Sequence, residues 1–354
     1  MNNVLFSNTI LKTQGEIVIN KTSEARRIAF VTGGSGFVGQ KLIRTLIEQK
    51  WEVRALARSR AAIELILELG AIPIEGSMRD LGALTKGMEG SEVVFHVAAL
   101  FKLWGKQADF EEINVGGMRT LIGAASDALS VKKIVAVSAA AVVMGDPEPM
   151  LQIEETIDIQ VRRFAPYSSS KAQAEQILLA ANGRRAGLET ISIRPPMIWG
   201  AGMPMLDQLI DTVHAGRWQW VDNGTQTLST CHVSNLVEAL ILSADKGRGG
   251  QAYFVADADD DTFKNFISAL LATRNVSVSD KSVPFGVAWI MAGIMGGIWR
   301  TFRIKGEPPI TRQMLRLIGK SFTIRWSKAN RDFGYLPLIT RADGLAEMCL
   351  GTQK

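Results

Sequence analysis

Cysteine is almost missing from this chain: there are two, Cys231 and Cys349, in no metal-type spacing. That excludes a disulfide framework and points to a reducing compartment, the cytoplasm by default. Histidine is equally scarce. His96, His214 and His232 lie far apart and match no zinc pattern, so no metal is expected. Long basic runs are absent as well. The net charge of +5 is scattered, with no aromatic-interleaved patch, which argues against nucleic acid as a partner. A phosphate-bearing cofactor or an anionic membrane surface would suit that charge. Residues 1–27 lack a basic start followed by an apolar run, so they do not read as a secretory signal. They read as an N-terminal extension with a weakly signalled strand at Glu16–Asn20. With 47% apolar and 21% charged residues, the chain has the composition of a folded globule.

From residue 28 short apolar strands alternate with amphipathic segments. Strands are expected at Ile28–Thr32, Glu52–Ala57, Ile72–Glu75, Glu92–Val97, Lys133–Ser138 and Glu189–Arg194. Helices are expected at Phe37–Lys50, Ala61–Leu69 and Glu111–Leu129, and from Pro166 onward. Such alternation implies right-handed crossovers and an α/β fold, a doubly wound parallel sheet of Rossmann type. Residues 28–195 form the expected dinucleotide-binding domain. Residues 196–354 are less regular and read as a smaller substrate-binding region, returning a strand such as Gln251–Val255 to the main sheet.

The segment TGGSGFVG, Thr32 to Gly39, falls between the first strand and the first helix. Gly33, Gly36 and Gly39 allow a tight turn and close approach of a pyrophosphate to backbone N–H groups at a helix N-terminus. Ser35, Phe37 and Val38 belong to the same turn. No carboxylate ends the second strand, where one would bind the ribose of NAD; Arg58 and Arg60 follow Ala57 instead. An arginine there suits the extra phosphate of NADP, so NADP(H) is favoured over NAD(H). Further cofactor contacts are expected at Ser77, Met78, Ala98, Ala99, Pro195 and Met197. Tyr167 and Lys171 are four residues apart on a predicted helix and share one face. A nearby ammonium favours tyrosinate and would lower the tyrosine pKa toward working pH. Tyr167 could then pass a proton to or from a substrate oxygen.

In order, TGGSGFVG, the HVAA of His96–Ala99, Asn114-Val115-x-Gly117, the YSSSK of Tyr167–Lys171 and the RPPMIWG of Arg194–Gly200 resemble the extended short-chain dehydrogenase/reductases. Within that group, the HVSNLVEA of His232–Ala239, the KGEPPITR of Lys305–Arg312 and the SKANRDFGYLP of Ser327–Pro337 resemble the 3β-hydroxysteroid dehydrogenase-like branch. The resemblance implies that Lys171 also holds the nicotinamide ribose. It further implies a Ser or Thr hydroxyl after the fifth strand, but that position is Ala140. Ser138, Ser168 or Ser169 could replace it, or the site could work without one; Ser138 is taken as the candidate. The family's tyrosine in the RPxxxYG-type segment is Trp199 here.

Val283–Trp299 carries no charge, and Arg300, Arg303 and Lys305 follow. Three readings stand: a buried helix over the active site, a membrane-surface helix, or a true span, for which the run is slightly short. Trp218, Trp220, Met203 and Met205 could line an apolar pocket or pack as core. The expected function is NADP(H)-dependent interconversion of a secondary alcohol and a ketone on a hydrophobic, sterol-like or acyl-chain substrate. The rivals are a sugar-nucleotide epimerase or dehydratase and a non-catalytic dinucleotide sensor. Expected partners are that small hydrophobic substrate, a membrane surface met peripherally through Val283–Lys305, and a second copy in a homodimer.

Overall fold

A computed structural model describes residues 26–350; the expected strand at Glu16–Asn20 lies outside them. Seven strands form the main sheet: β1 (Ile28–Thr32), β2 (Glu52–Ala57), β3 (Ile72–Glu75), β4 (Val93–His96), β5 (Lys133–Val137), β6 (Glu189–Arg194) and β7 (Gln251–Phe254). Their spatial order is β7-β6-β5-β4-β1-β2-β3, and every neighbouring pair is parallel. The chain steps outward from β1 through β2 to β3, then returns to β4 on the other side. The crevice beside β1 and β4 is thus the topological switch point, where this architecture binds ligands.

The helices that cover the sheet form for local reasons. α1 (Phe37–Glu48) buries Leu42, Ile43 and Leu46, one face at helical spacing. In α2 (Arg60–Glu68) the Ser59 hydroxyl accepts from the Ala62 N–H at 3.3 Å, a side-chain N-cap. α3 (Leu81–Met88) was not anticipated, because Gly82 and Gly87 weaken its helical signal. It is set by the Asp80 carboxylate, which caps it through the Ala83 N–H at 3.0 Å, and by Leu84 and Met88, which bury one face. The expected helix over Glu111–Leu129 is instead two pieces, a π-helix at Glu111–Gly116 and α5 (Gly117–Asp127), and a short α4 (Gln107–Phe110) runs into the first of them. α6 (Pro166–Ala180) starts with proline at its first position, where the missing N–H costs nothing.

The C-terminal half contributes β7 to the main sheet and builds a small sheet of its own. In that sheet Phe322–Ile324 pairs with both Met150–Ile153 and Thr227–Leu228. Its helices are α7 (Met205–His214), α8 (Val233–Lys246), α9 (Phe263–Ala272), α10 (Phe285–Thr301), α11 (Arg312–Ile318), α12 (Ser327–Phe333) and α13 (Arg341–Leu350). Trp220 and Met203 are buried in this half's core, with Trp218 and Met205 packed against it, which is the core-packing reading of that group.

The buried-helix reading of the uncharged run is overturned. Of α10 only Ala288, Ala292 and Gly296 are buried, while Val287, Ile290, Met291, Ile294 and Ile298 are exposed. Small residues let the helix lie close on its neighbours, and that turns its large side chains outward. No helix among the described residues is long and apolar enough to cross a membrane.

Candidate active site

The predicted cofactor residues follow the C-terminal ends of successive strands: Gly33–Gly39 after β1, Arg58 after β2, Ser77 and Met78 after β3, Ala98 and Ala99 after β4, and Pro195 and Met197 after β6. They therefore share one edge of the sheet. Gly33 has φ +77°, and a Cβ there would sit 2.6 Å from the Ala98 nitrogen. Only glycine lets the first turn pack against the end of β4. A Cβ on Gly39 would lie 2.1 Å from the Gly33 oxygen, so that glycine draws α1 against the same turn. Gly36 is the N-cap of α1 and provides no side-chain cap, which leaves the first-turn N–H groups open toward the edge.

Arg58 and Arg60 separate. Arg60 makes an exposed ion pair with Glu64 at 3.0 Å, one turn along α2. Arg58 is exposed and, among the described residues, has no ion-pair partner. The open turn at α1 fits the pyrophosphate of a dinucleotide, and Arg58 fits a phosphate at the end of β2. When bound, a nicotinamide dinucleotide supplies or accepts the hydride.

The Lys171 ammonium is buried and donates to the Val137 carbonyl at 2.6 Å, the last residue of β5. Burial lowers its pKa to about 8, against the raising influence of Glu175. Glu175 lies one turn further along α6 and is itself clamped. It accepts from the Arg194 Nε at 3.0 Å and from the Ser192 hydroxyl at 2.7 Å, both in the buried interior. Tyr167 lies one turn before Lys171, half-buried, its ring edge-on to Phe101 with centroids 4.9 Å apart. Burial raises the Tyr167 pKa to about 12. This corrects the expectation of a lowered value: the ammonium meets a backbone carbonyl, and desolvation of the phenol dominates. A phenol protonated at neutral pH is a proton donor, the state that ketone reduction requires.

Below the pair, the Thr32 hydroxyl and His96 Nδ1 are 2.7 Å apart in a buried contact. Burial, with the Lys171 charge second, lowers the His96 pKa to about 3, so its ring is neutral.

Ser138 lies one residue past β5. Its N–H donates to the Ile193 carbonyl at 2.7 Å, and the Ala140 N–H donates to the Pro195 carbonyl at 2.8 Å. The two positions thus keep the same strand face, as the two-residue period requires. The Ser138 hydroxyl is buried with no hydrogen-bond partner among the described residues, and Ala140, fully buried, opens a short 3₁₀ turn to Val143. Each serine of the YSSSK segment is otherwise engaged. Ser168 accepts from Gln313 of α11 at 3.0 Å, Ser169 bonds the Arg162 backbone, and Ser170 accepts from Asn114 and donates to the Tyr167 carbonyl. Ser169, which donates to the Arg162 carbonyl, therefore loses standing as a substitute for the missing hydroxyl, whereas Ser168 only accepts and keeps its own O–H to give.

Two groups have roles that the sequence motifs do not assign. Asn114, in the π-helix, holds the Leu100 N–H at 2.7 Å, the Leu100 carbonyl at 3.2 Å and the Ser170 hydroxyl at 2.9 Å. It ties the loop after β4 to α6. The Asp257 carboxylate accepts from the Trp199 indole, the Thr230 hydroxyl, the His232 N–H and the Asn235 amide, each at 2.7 Å. That network accounts for the HVSN segment, and it holds Trp199 inside the C-terminal core. Among the described residues no group of His, Cys, Asp and Glu is arranged to hold a metal ion.

Residues 30–285 match the 3-beta hydroxysteroid dehydrogenase/isomerase family. The chain is 39% identical, over 89% of its length and 94% of the relative, to a 4-hydroxy-2-methyl-3-oxo-4-farnesyl-3,4-dihydroquinoline-1-oxide ketoreductase from Stigmatella aurantiaca. It is 30% identical, over 90% of its length and 99% of the relative, to a decarboxylating sterol-4-alpha-carboxylate 3-dehydrogenase from Dictyostelium discoideum. Among solved structures it resembles a dTDP-glucose 4,6-dehydratase double mutant from Streptomyces venezuelae with NAD bound. The TM-score is 0.68 at 23% identity, over 92% of this chain and 97% of that one, which is a likeness of fold. With the dinucleotide edge, the Tyr167–Lys171 helix and a match over most of its length, the chain belongs to the 3-beta hydroxysteroid dehydrogenase/isomerase family.

Proposed function

We propose that the protein reduces a ketone on a hydrophobic molecule to a secondary alcohol, reversibly, using NADP(H). One observation carries the reading. α6 sets a protonated Tyr167 against the apolar ring of Phe101, one turn from a buried Lys171 anchored at the end of β5. In this reading Tyr167 gives its proton to the carbonyl oxygen as that oxygen gains charge. Lys171 holds the cofactor ribose and steadies the phenolate that remains. Ser138 is the candidate second donor to the reacting oxygen. Arg58 supports NADP(H), because a guanidinium at the end of β2 with no ion-pair partner among the described residues matches a 2′-phosphate.

The hydrophobic substrate class rests on two supports. The ring beside Tyr167 is Phe101, and a second aromatic group, Phe164 with Trp289 and Phe285, joins α10 to the segment just before α6. The relatives named above act on a farnesylated quinoline oxide and on a sterol. Arg312, Arg316 and Lys320 lie over the Trp289, Phe164 and Phe285 rings, so a sugar nucleotide is kept as the rival that the substrate panel must separate. The test is turnover of NADPH and of NADH against a panel of prenylated ketones, ketosteroids, long-chain β-keto acids and UDP-sugars. NADPH oxidation with an apolar ketone is expected. Turnover confined to sugar nucleotides, or equal use of the two cofactors, would overturn the substrate or the cofactor part respectively.

A further inference from the structure

We propose that the face of α11 bearing Gln313 and Arg316 recognises a carboxylate carried by the ketone substrate, an inference that deepens the function proposed above and rests on it. α11 is tied to three segments around Tyr167. The Thr311 hydroxyl, just before the helix, donates to the Leu103 carbonyl at 3.1 Å, on the loop whose Phe101 packs on the Tyr167 ring. The Gln313 amide donates to the Ser168 hydroxyl at 3.0 Å, beside Tyr167 on α6. The Arg316 Nε donates to the Gly145 carbonyl at 3.2 Å, further along the segment that holds Ser138 and Ala140. Gln313 and Arg316 are three residues apart and share one helix face.

Both side chains keep polar atoms with nothing to bond. Arg316 is 4% exposed, and its Nη1 and Nη2 are buried with no hydrogen-bond partner among the described residues. The same holds for the Gln313 Oε1, on a residue 1% exposed. The charges nearby are already engaged: Arg162 pairs with Asp146 at 3.5 Å, and Lys320 with Asp222 at 3.2 Å. Burial lowers the Arg316 pKa to about 10, with Arg162 adding to the shift and Asp146 opposing it. The guanidinium therefore stays charged at neutral pH. A buried cation without a counterion destabilises a fold, and such charges concentrate where a ligand supplies the anion.

The free atoms select the anion. With Nε committed to Gly145, the open edge of the guanidinium is the Nη1–Nη2 edge, whose two N–H bonds match the two oxygens of one carboxylate. A nucleotide diphosphate brings more oxygens and a second charge. The next polar atom on this face is the Gln313 Oε1, an acceptor, which repels them, and the Asp146 charge is close enough to act on Arg316. The remaining surround is apolar. Ala141 to Met144 are buried, and the Phe164 ring centre lies 5.9 Å from the guanidinium carbon. A carboxylate on a hydrocarbon body suits both parts, whereas a free inorganic anion would shed its hydration with no apolar contact in return. The substrate class is then a hydrophobic keto acid, its carboxylate on Arg316 and its ketone oxygen served by Tyr167.

Calorimetric titration of the intact chain with dodecanoate reads this site without turnover, so its failure is distinguishable from failure of the proposed reaction. Dodecanoate is expected to bind at least about tenfold more tightly than dodecanol. Arg316→Met should abolish that preference and leave the thermal midpoint unchanged or raised, because it removes a buried charge that has no counterion. Arg316→Lys keeps the charge without the fork and should recover part of the preference. Where Arg316→Met does not fold, Gln313→Glu decides the matter. A carboxylate one turn away would occupy the guanidinium from within, so dodecanoate should lose its advantage while the midpoint holds. Equal binding of the acid and the alcohol would overturn the proposal. So would a preference that survives these variants. A lower midpoint in Arg316→Met with the preference kept would make Arg316 a tie to Gly145, its free N–H groups met by water in the cavity of about 10 Å³ that it lines with Asp146 and Lys320. UDP that displaces dodecanoate, and stops binding in Arg316→Met, would assign the guanidinium to a diphosphate instead.

Discussion

Lys171 gives its hydrogen bond to the Val137 carbonyl at the end of β5, and that backbone contact fixes where the ammonium stands. Tyr167, raised to about 12, keeps its proton through neutral pH. Tyr167→Phe removes only the hydroxyl, so turnover should fall about a hundredfold or more with cofactor affinity kept. Steady-state rates and fluorescence titration check this, and full activity in the Phe variant would place the proton donor elsewhere. The Ser138 hydroxyl is buried without a partner, so removing it should leave stability unchanged or slightly improved. If that hydroxyl donates to the reacting oxygen, Ser138→Ala should still lower kcat, with a barrier cost of about 2.7–4 kcal/mol. Ala140→Ser should then be neutral or harmful. The reverse pattern, a harmless Ser138→Ala and a faster Ala140→Ser, would mean the position lacks its donor. At the end of β2, Arg58→Ala should weaken NADPH by about 1.5–3 kcal/mol and leave NADH nearly unchanged. Equal losses for the two cofactors would show that Arg58 does not read the 2′-phosphate.

At the scale of elements, the π-helix at Glu111–Gly116 is the unusual piece, and π-turns tend to sit where function needs them. It carries Asn114, whose amide reaches both the loop after β4 and α6. Asn114→Leu should let α6 shift, lowering kcat at least tenfold while the thermal midpoint drops modestly. Asn114→Asp keeps one acceptor and should recover part of the rate; a variant whose rate and stability fall strictly together would reduce Asn114 to a structural tie. These elements also show what the sequence could and could not reveal. α1 and the glycine turn were legible because their signals are local: Leu42, Ile43 and Leu46 share a face, and the turn lies between strand and helix. α3 was not, because a Cβ at Gly87 would lie 2.2 Å from the Phe30 ring, a demand visible only once β1 is in place. The Asp257 network draws donors from Trp199, Thr230, His232 and Asn235, which no spacing rule connects. α10 misled for another reason: a uniformly apolar run has no polar side to say which face points inward.

The whole molecule keeps two titratable groups dry beneath its catalytic edge, and that sets how its stability varies with pH. His96 is neutral when folded, its pKa lowered to about 3 by burial and then by the Lys171 charge. In the unfolded chain it titrates near 6.5. Its contribution is therefore fully present above about pH 6.5. As pH falls toward 3 the unfolded state takes up a proton that the folded state refuses, and stability declines by about 1.4 kcal/mol per pH unit. Lys171, lowered to about 8, acts in the alkaline range with the same sign. Stability rises between about pH 8 and 10.4 as the unfolded chain loses the proton that the folded one has already released. The acid limb is the cleaner test, because Tyr167 and Lys171 do not titrate there. Urea midpoints measured from pH 7 to pH 4.5 should fall for the parent. His96→Asn can still hydrogen-bond Thr32 yet cannot titrate, so its curve should be flatter by about one proton's worth of slope. Parallel curves would mean that His96 is charged in the folded protein. An imidazolium there would lie close enough to Lys171 to repel its ammonium, and the site would then need a different account of how that lysine stays protonated at the cofactor edge.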